Sequence, residues 1–191
     1  MKNAFVYRIA HDTSEARLTV LGVPDRSGIG AKIFHSLAEA KINVDMIIYN
    51  NVMNGTPGMP NVSFLIWKKD VARAREAAEN IIQEIGATGI KIEEDIARIT
   101  VIGQGLHNPS GIVAELFEAF GDEKINIQMI STSERRVSCL VKAADVKRSV
   151  KTLIEKFGLD DFKNQSFNES HEEVDFAIPL DAPFDYTLIN A

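Results

Sequence analysis

Apolar and polar positions change period several times along the chain, and they do so in the same order twice. Residues 17–22 (RLTVLG) form an apolar, β-branched run bounded by Gly22 and Pro24, which predicts a strand. After a turn built from Pro24, Asp25 and Gly28, the apolar positions Ile29, Ile33, Leu37 and Ala40 recur at helical spacing, with Phe34 and Ala38 widening the face. Asp25 or Ser27 is placed to cap that helix. Residues 43–50 predict a second strand, with Val44, Met46 and Ile48 on one face and Asp45 and Ile47 on the other. A loop thick with Asn, Gly and Pro leads to a third strand at 62–67. From Asp70 a second helix follows, buried through Val71, Ala74, Ala77, Ala78, Ile81, Ile82 and Ile85 and ended by Gly86. Residues 90–92 predict a short fourth strand.

The same order then returns. RITVIG (98–103) echoes RLTVLG, SGIVAELFEAF (110–120) echoes SGIGAKIFHSL (27–37), and KINIQMI (124–130) echoes KINVDMI (41–47). VSCLV (137–141) matches VSFLI (62–66), and a helix at 145–157 ends at Gly158. The chain is a tandem duplication of a unit of about 75–80 residues. In each unit Lys-Ile-Asn opens the strand after the first helix. The unit reads β-α-β-β-α-β, an α+β, ferredoxin-like arrangement with two helices on one face of an antiparallel sheet. The second copy lacks its fourth strand. Residues 5–9 (FVYRI) or 174–178 are able to supply it. The N-terminal run is preferred, since it is otherwise an orphan strand, joined to the first repeat by the loop HDTSEA (11–16). The expected division is 15–95 for the first unit and 96–159 plus 4–10 for a discontinuous second one.

Charge separates the tail from the rest. The formal net charge is −6, yet from Asp160 onward eight acidic residues meet one lysine, so the remainder is near neutral. Residues 160–191 are expected to be weakly ordered or to dock on the body. No basic stripe with interleaved aromatics appears, which argues against nucleic acid. Cys139 is the one cysteine, set in an apolar strand pattern, and fits a buried thiol in a reducing compartment. The first residues are too polar for a signal peptide, and no apolar run approaches the roughly 20 residues of a membrane span. A cytoplasmic protein is expected.

Catalytic machinery is not visible. GQGLHN (103–108) starts like a dinucleotide fingerprint but lacks its third glycine, and the four histidines share no metal-ligand spacing. Neither metal nor cofactor is expected. Glu93, Glu94 and Asp95 read as a solvated strand end, and His35 as a surface residue. The repeated turns are more informative. In each copy a glycine-bearing turn, Asp25 to Gly28 and Asn108 to Gly111, feeds a helix N-terminus whose free N–H groups suit a carboxylate. Asp25 is able to accept from an ammonium or hydroxyl, so the pair suits a free amino acid. The same residues also occur in β-α turns for geometry alone.

At these residues the chain resembles a family. VPDRSGIGAKIF, KINVDMI, GQGLHNPSGIVAELF, KINIQMISTSE and VSCLV are similar to the paired ACT domains at the C-terminal end of aspartate kinase. The resemblance covers about residues 5–160. It implies allosteric feedback inhibition by threonine, lysine or both, with the segment before the first unit completing the second one. It implies one effector pocket from Asp25, Gly28, Ile29, Gly30, Ala31 and Tyr49 with Asn126 and Ile127. A second possible pocket would take Asn43, Val44, Asn108, Gly111 and Ile112. Ser27 and Ser110 stand where the family usually has proline, Tyr49 where glutamine is common, and Pro60-Asn61 begin a segment that is usually TDISF. No catalytic site is expected in these residues. The expected partners are an amino-acid effector, a second copy in a homodimer, and the catalytic domain or subunit that transfers phosphate from ATP to L-aspartate; neither nucleic acid nor a membrane is among them. The alternative is a stand-alone paired module without a small-molecule ligand.

Overall fold

The computed structural model describes residues 5–50, 60–104 and 110–159. The loop 51–59, Asn108 and the tail with its candidate strand 174–178 lie outside the described residues. Strand β1 (Phe5–Asp12) comes first. The first unit follows as β2 (Glu15–Leu21), α1 (Ile29–Glu39), β3 (Asp45–Asn50), β4 (Asn61–Trp67), α2 (Val71–Ile85) and β5 (Gly89–Glu93). The second is β6 (Ile96–Gln104), α3 (Ser110–Asp122), β7 (Met129–Thr132), β8 (Arg136–Lys142) and α4 (Val146–Lys156). The two sheets run β3-β4-β2-β5 and β1-β6-β8-β7, and every pairing is antiparallel. The fold is therefore the α+β ferredoxin-like one, twice. Strand β1 takes in the second sheet the place that β5 takes in the first, with Asp12 opposite Arg98 as Glu93 is opposite Arg17.

Strand alternation decides which face each sheet gives to its helices. Leu18 and Val20 of β2 with Phe64 and Ile66 of β4 pack under α1 and α2, where Phe34 meets Phe64 edge-on at 5.5 Å. Ile99, Val101 and Val137 do the same for the second unit, together with Cys139. Burial pushes the Cys139 thiol up to about 12, so it stays protonated and inert. Fully buried side chains such as Phe64 and Phe120 each contribute roughly 1.5–3 kcal/mol.

The opposite faces are not left to solvent. Met46 and Leu65 of the first sheet join Ile96, Met129 and Leu140 of the second in a third cluster. Beside it each sheet carries a matching hydroxyl pair, Thr19 with Ser63 at 2.9 Å and Thr100 with Ser138 at 3.0 Å. The echo of RLTV and VSFLI in RITV and VSCLV is thus an echo of this contact. Two short crossovers join the sheets, residues 13–14 and 94–95. The segment HDTSEA is accordingly strand at both ends, with only Thr13 and Ser14 between, and Asp12 Oδ1 accepts from the Ser14 N–H at 2.7 Å.

Three local expectations change. Lys-Ile-Asn does not open a strand; it stops a helix. Lys41 and Lys124 both sit at φ 56. The N–H groups of Lys41 and Ile42 donate to Ala38 and Leu37 at 2.9 and 3.0 Å, and those of Lys124 and Ile125 to Gly121 and Phe120 at 3.0 and 2.8 Å. This is the paired-bond helix stop, with Ile42 and Ile125 folding back onto the core. Second, Val44 packs under the helices rather than with Met46 and Ile48, because Met46 takes φ 45 and the register slips between Asp45 and Ile48. Third, Asp70 precedes its helix in a 3₁₀ turn and is buried, paired with Arg73.

Candidate functional site

The turn from β2 into α1 is held from several sides. Gly22 has φ 59, and a Cβ there would come within 2.5 Å of the Thr88 hydroxyl, so only glycine fits. Its N–H donates to Asn61 Oδ1 at 3.0 Å, the Val23 N–H to the Pro60 carbonyl at 2.8 Å, and the Thr88 N–H to the Leu21 carbonyl at 2.9 Å. Asn61 is thus an anchor for the turn, a role its sequence position alone does not reveal.

Helix α1 begins at Gly28, which is left-handed at φ 87, and no side chain caps it. Neither Asp25 nor Ser27 does so; the backbone carbonyl of Arg26 instead accepts from the Ile29 N–H at 3.3 Å, which leaves the N–H groups of Gly30 and Ala31 facing outward. The first turn also carries no acidic residue. A Cβ at Gly28 or at Gly30 would meet nothing within 4 Å, so the backbone there is open to approach. Asp25 and Ala31 are exposed, while Ile29 packs partly into the core. Tyr49, half exposed on the edge strand β3, donates from its hydroxyl to Asp25 Oδ1 at 3.4 Å. The Tyr49 phenol is held above its ordinary value, by desolvation first and then by the charge and hydrogen bond of Asp25. An uncapped helix N-terminus beside a carboxylate is an arrangement that receives a carboxylate on one side and a cation or hydroxyl on the other.

Asn126 and Ile127 lie elsewhere. They precede the amino end of β7, at the end of the second sheet where Gln128 donates to the Leu140 carbonyl at 2.8 Å. Asp25 follows the carboxyl end of β2, at the end of the first sheet away from the two crossovers. One chain does not bring these two halves together. In the second set, Gly111 and Ile112 open α3 while Asn43 and Val44 follow α1, again in different units, and Asn108 lies outside the described residues. Among the described residues no group of three metal-ligating side chains converges, and no helix is long and apolar enough to cross a membrane.

The ACT domain profile matches residues 18–81 and 99–157. The chain belongs to the ACT domain family. This ACT pair is 37% identical over 159 residues to an aspartokinase of Corynebacterium efficiens, covering 83% of the chain and 38% of that relative. An aspartate kinase of Pseudomonas putida is 34% identical over 160 residues, again with 38% of its length covered. The chain therefore spans well under half of these relatives. Two solved structures are matched along nearly their whole length. The regulatory subunit of aspartate kinase from Thermus thermophilus is 34% identical with a TM-score of 0.73, covering 80% of this chain and 99% of that one. A structure of aspartokinase alpha and beta subunits has a TM-score of 0.74 at 34% identity, with the same coverage. The ACT pair corresponds to the regulatory region of aspartokinases.

Proposed function

We propose that this ACT pair senses a pathway end-product amino acid, threonine and/or lysine, and feeds back on an aspartate kinase that phosphorylates L-aspartate with ATP. The observation that carries the reading is the uncapped, glycine-opened start of α1 beside Asp25 and Tyr49. The effector's carboxylate accepts from the first-turn N–H groups, and Asp25 takes its ammonium or hydroxyl. Asn126 and Ile127 complete the pocket from a second copy, which makes the assembly a homodimer. The exposed Ile47 and Tyr49 on edge strand β3 support this, since an uncovered edge with apolar side chains invites pairing. The chain acts in the cytoplasm on a catalytic domain or subunit. It contributes no cofactor of its own.

Titration calorimetry of the full chain against threonine, lysine and methionine tests the reading, with heat expected for at least one of them. Silence across the panel at millimolar concentrations favours the second reading, a paired-ACT dimerisation module without a ligand. That reading draws on the Tyr49 hydroxyl, which already occupies Asp25. Sedimentation that stays monomeric at every concentration overturns the dimer.

A further inference from the structure

We propose that the joint between the two sheets is proton-gated: with Glu15 protonated the joint is tight, and loss of that proton loosens it. The joint is the corner where β2 and β6 start, and one guanidinium spans it. Arg98 of β6 lies 2.9 Å from Glu15 Oε1 on β2, 2.6 Å from Asp45 Oδ2 on β3 and 3.9 Å from Asp12 Oδ2 on β1. Three carboxylates therefore converge on one cation. Asp45 is exposed and keeps its hydration, but Glu15 is only 5% exposed. Its second oxygen, Oε2, is buried without a hydrogen-bond partner among the described residues. An ionised carboxylate cannot leave such an oxygen unpaired without a large desolvation penalty, and the neutral acid reduces that penalty several-fold.

The groups facing Glu15 are Arg98 from β6, Asp12 from β1 and Asp45 from β3. Strand β4 sets the uncharged Trp67 opposite it, and Arg17, next on the same face of β2, is held by Glu93 of β5 at 2.5 Å. Burial, with Asp12 and Asp45 adding and Arg98 opposing, pushes the Glu15 carboxyl up from 4.5 to about 7. The folded chain thus holds a proton that the unfolded chain releases. The stabilisation is complete below pH 4.5 and is lost as pH rises through about 7. The device exists in one repeat only, since Ile96 stands in the second repeat where Glu15 stands in the first.

Amide hydrogen exchange of the full chain, corrected for intrinsic rates and followed across neutral pH, tests this. Protection at residues 16–18 and 97–99 is expected to fall roughly tenfold as pH passes neutrality. In Glu15→Gln the profile is expected to be flat, and in Asp45→Asn the fall moves to lower pH because a neighbouring negative charge is gone. The same pH profile in wild type and Glu15→Gln overturns the proposal, as does an equal fall throughout α2 and α4. Should Glu15→Gln not fold, the exposed Asp45→Asn reads alone, and an unmoved midpoint there overturns it.

Discussion

The Arg98 guanidinium leaves its own sheet to meet the Asp45 carboxylate of the other unit at 2.6 Å, while its repeat equivalent, Arg17, stays at home with Glu93 at 2.5 Å. Two arginines at the same place in the duplicated pattern therefore do different work. One ties the units together, and the other braces neighbouring strands of one sheet. The difference comes from what each finds across the joint: Glu15 and Asp45 lie before Arg98, whereas the equivalent positions in the second repeat are Ile96 and Gln128.

Arg98→Ala is accordingly expected to cost about 1.5–3 kcal/mol, because it removes the charged donor that Glu15 Oε1 and Asp45 share across the two sheets. Arg17→Ala is expected to cost about 1 kcal/mol or less, as a pair within one sheet near its edge. Urea unfolding of both variants at neutral pH checks the order. Equal losses would show that Arg98 carries nothing across the joint.

Lys41 and Lys124 occupy a left-handed backbone position that glycine adopts without a Cβ penalty. Lys41→Gly and Lys124→Gly are each expected to raise stability by roughly 0.5–1 kcal/mol, less some unfolded-state entropy. The sites lie in different units, so the double variant is expected to be additive. Thermal melts of the two single variants and the double one decide the matter.

Ser149 is buried in α4, and its hydroxyl has no hydrogen-bond partner among the described residues. Removing an unpaired buried hydroxyl while keeping helix propensity is expected to stabilise, so Ser149→Ala should gain about 1 kcal/mol. A loss in denaturant midpoint would mean that the hydroxyl is bonded in solution.

Asp25 does not cap α1, since that position belongs to Gly28. Asp25→Ala is therefore expected to leave stability within about 0.5 kcal/mol. If Asp25 receives the effector's cationic group, the same change weakens binding about ten- to a hundredfold, the worth of one charge-assisted hydrogen bond. One melt and one titration read both effects. Normal binding in the variant would remove Asp25 from the pocket.

What is legible in this chain is whatever repeats at short range. The duplication, the helix periods, the strand runs and hence the ferredoxin-like class all follow from residues within one element sharing one core face. The turn at Asp25 and Gly28 is visible for the same reason, because glycine and aspartate mark backbone geometry locally. The KIN echo is visible too, but its meaning is not. Lysine shows no preference for a left-handed helix stop, and only the bonds of Ile42 and Ile125 back to Leu37 and Phe120 reveal it. Contacts across long separations are a different matter. Alternation says that Leu65 and Leu140 face away from the helices, but not that they face each other, because an apolar open face is satisfied equally by any apolar surface. Arg98 and Asp45, 53 residues apart, carry no mark of their pairing either. Two-residue crossovers bring these groups to one corner, and the geometry of that corner is set by how two finished sheets pack, which no single segment encodes.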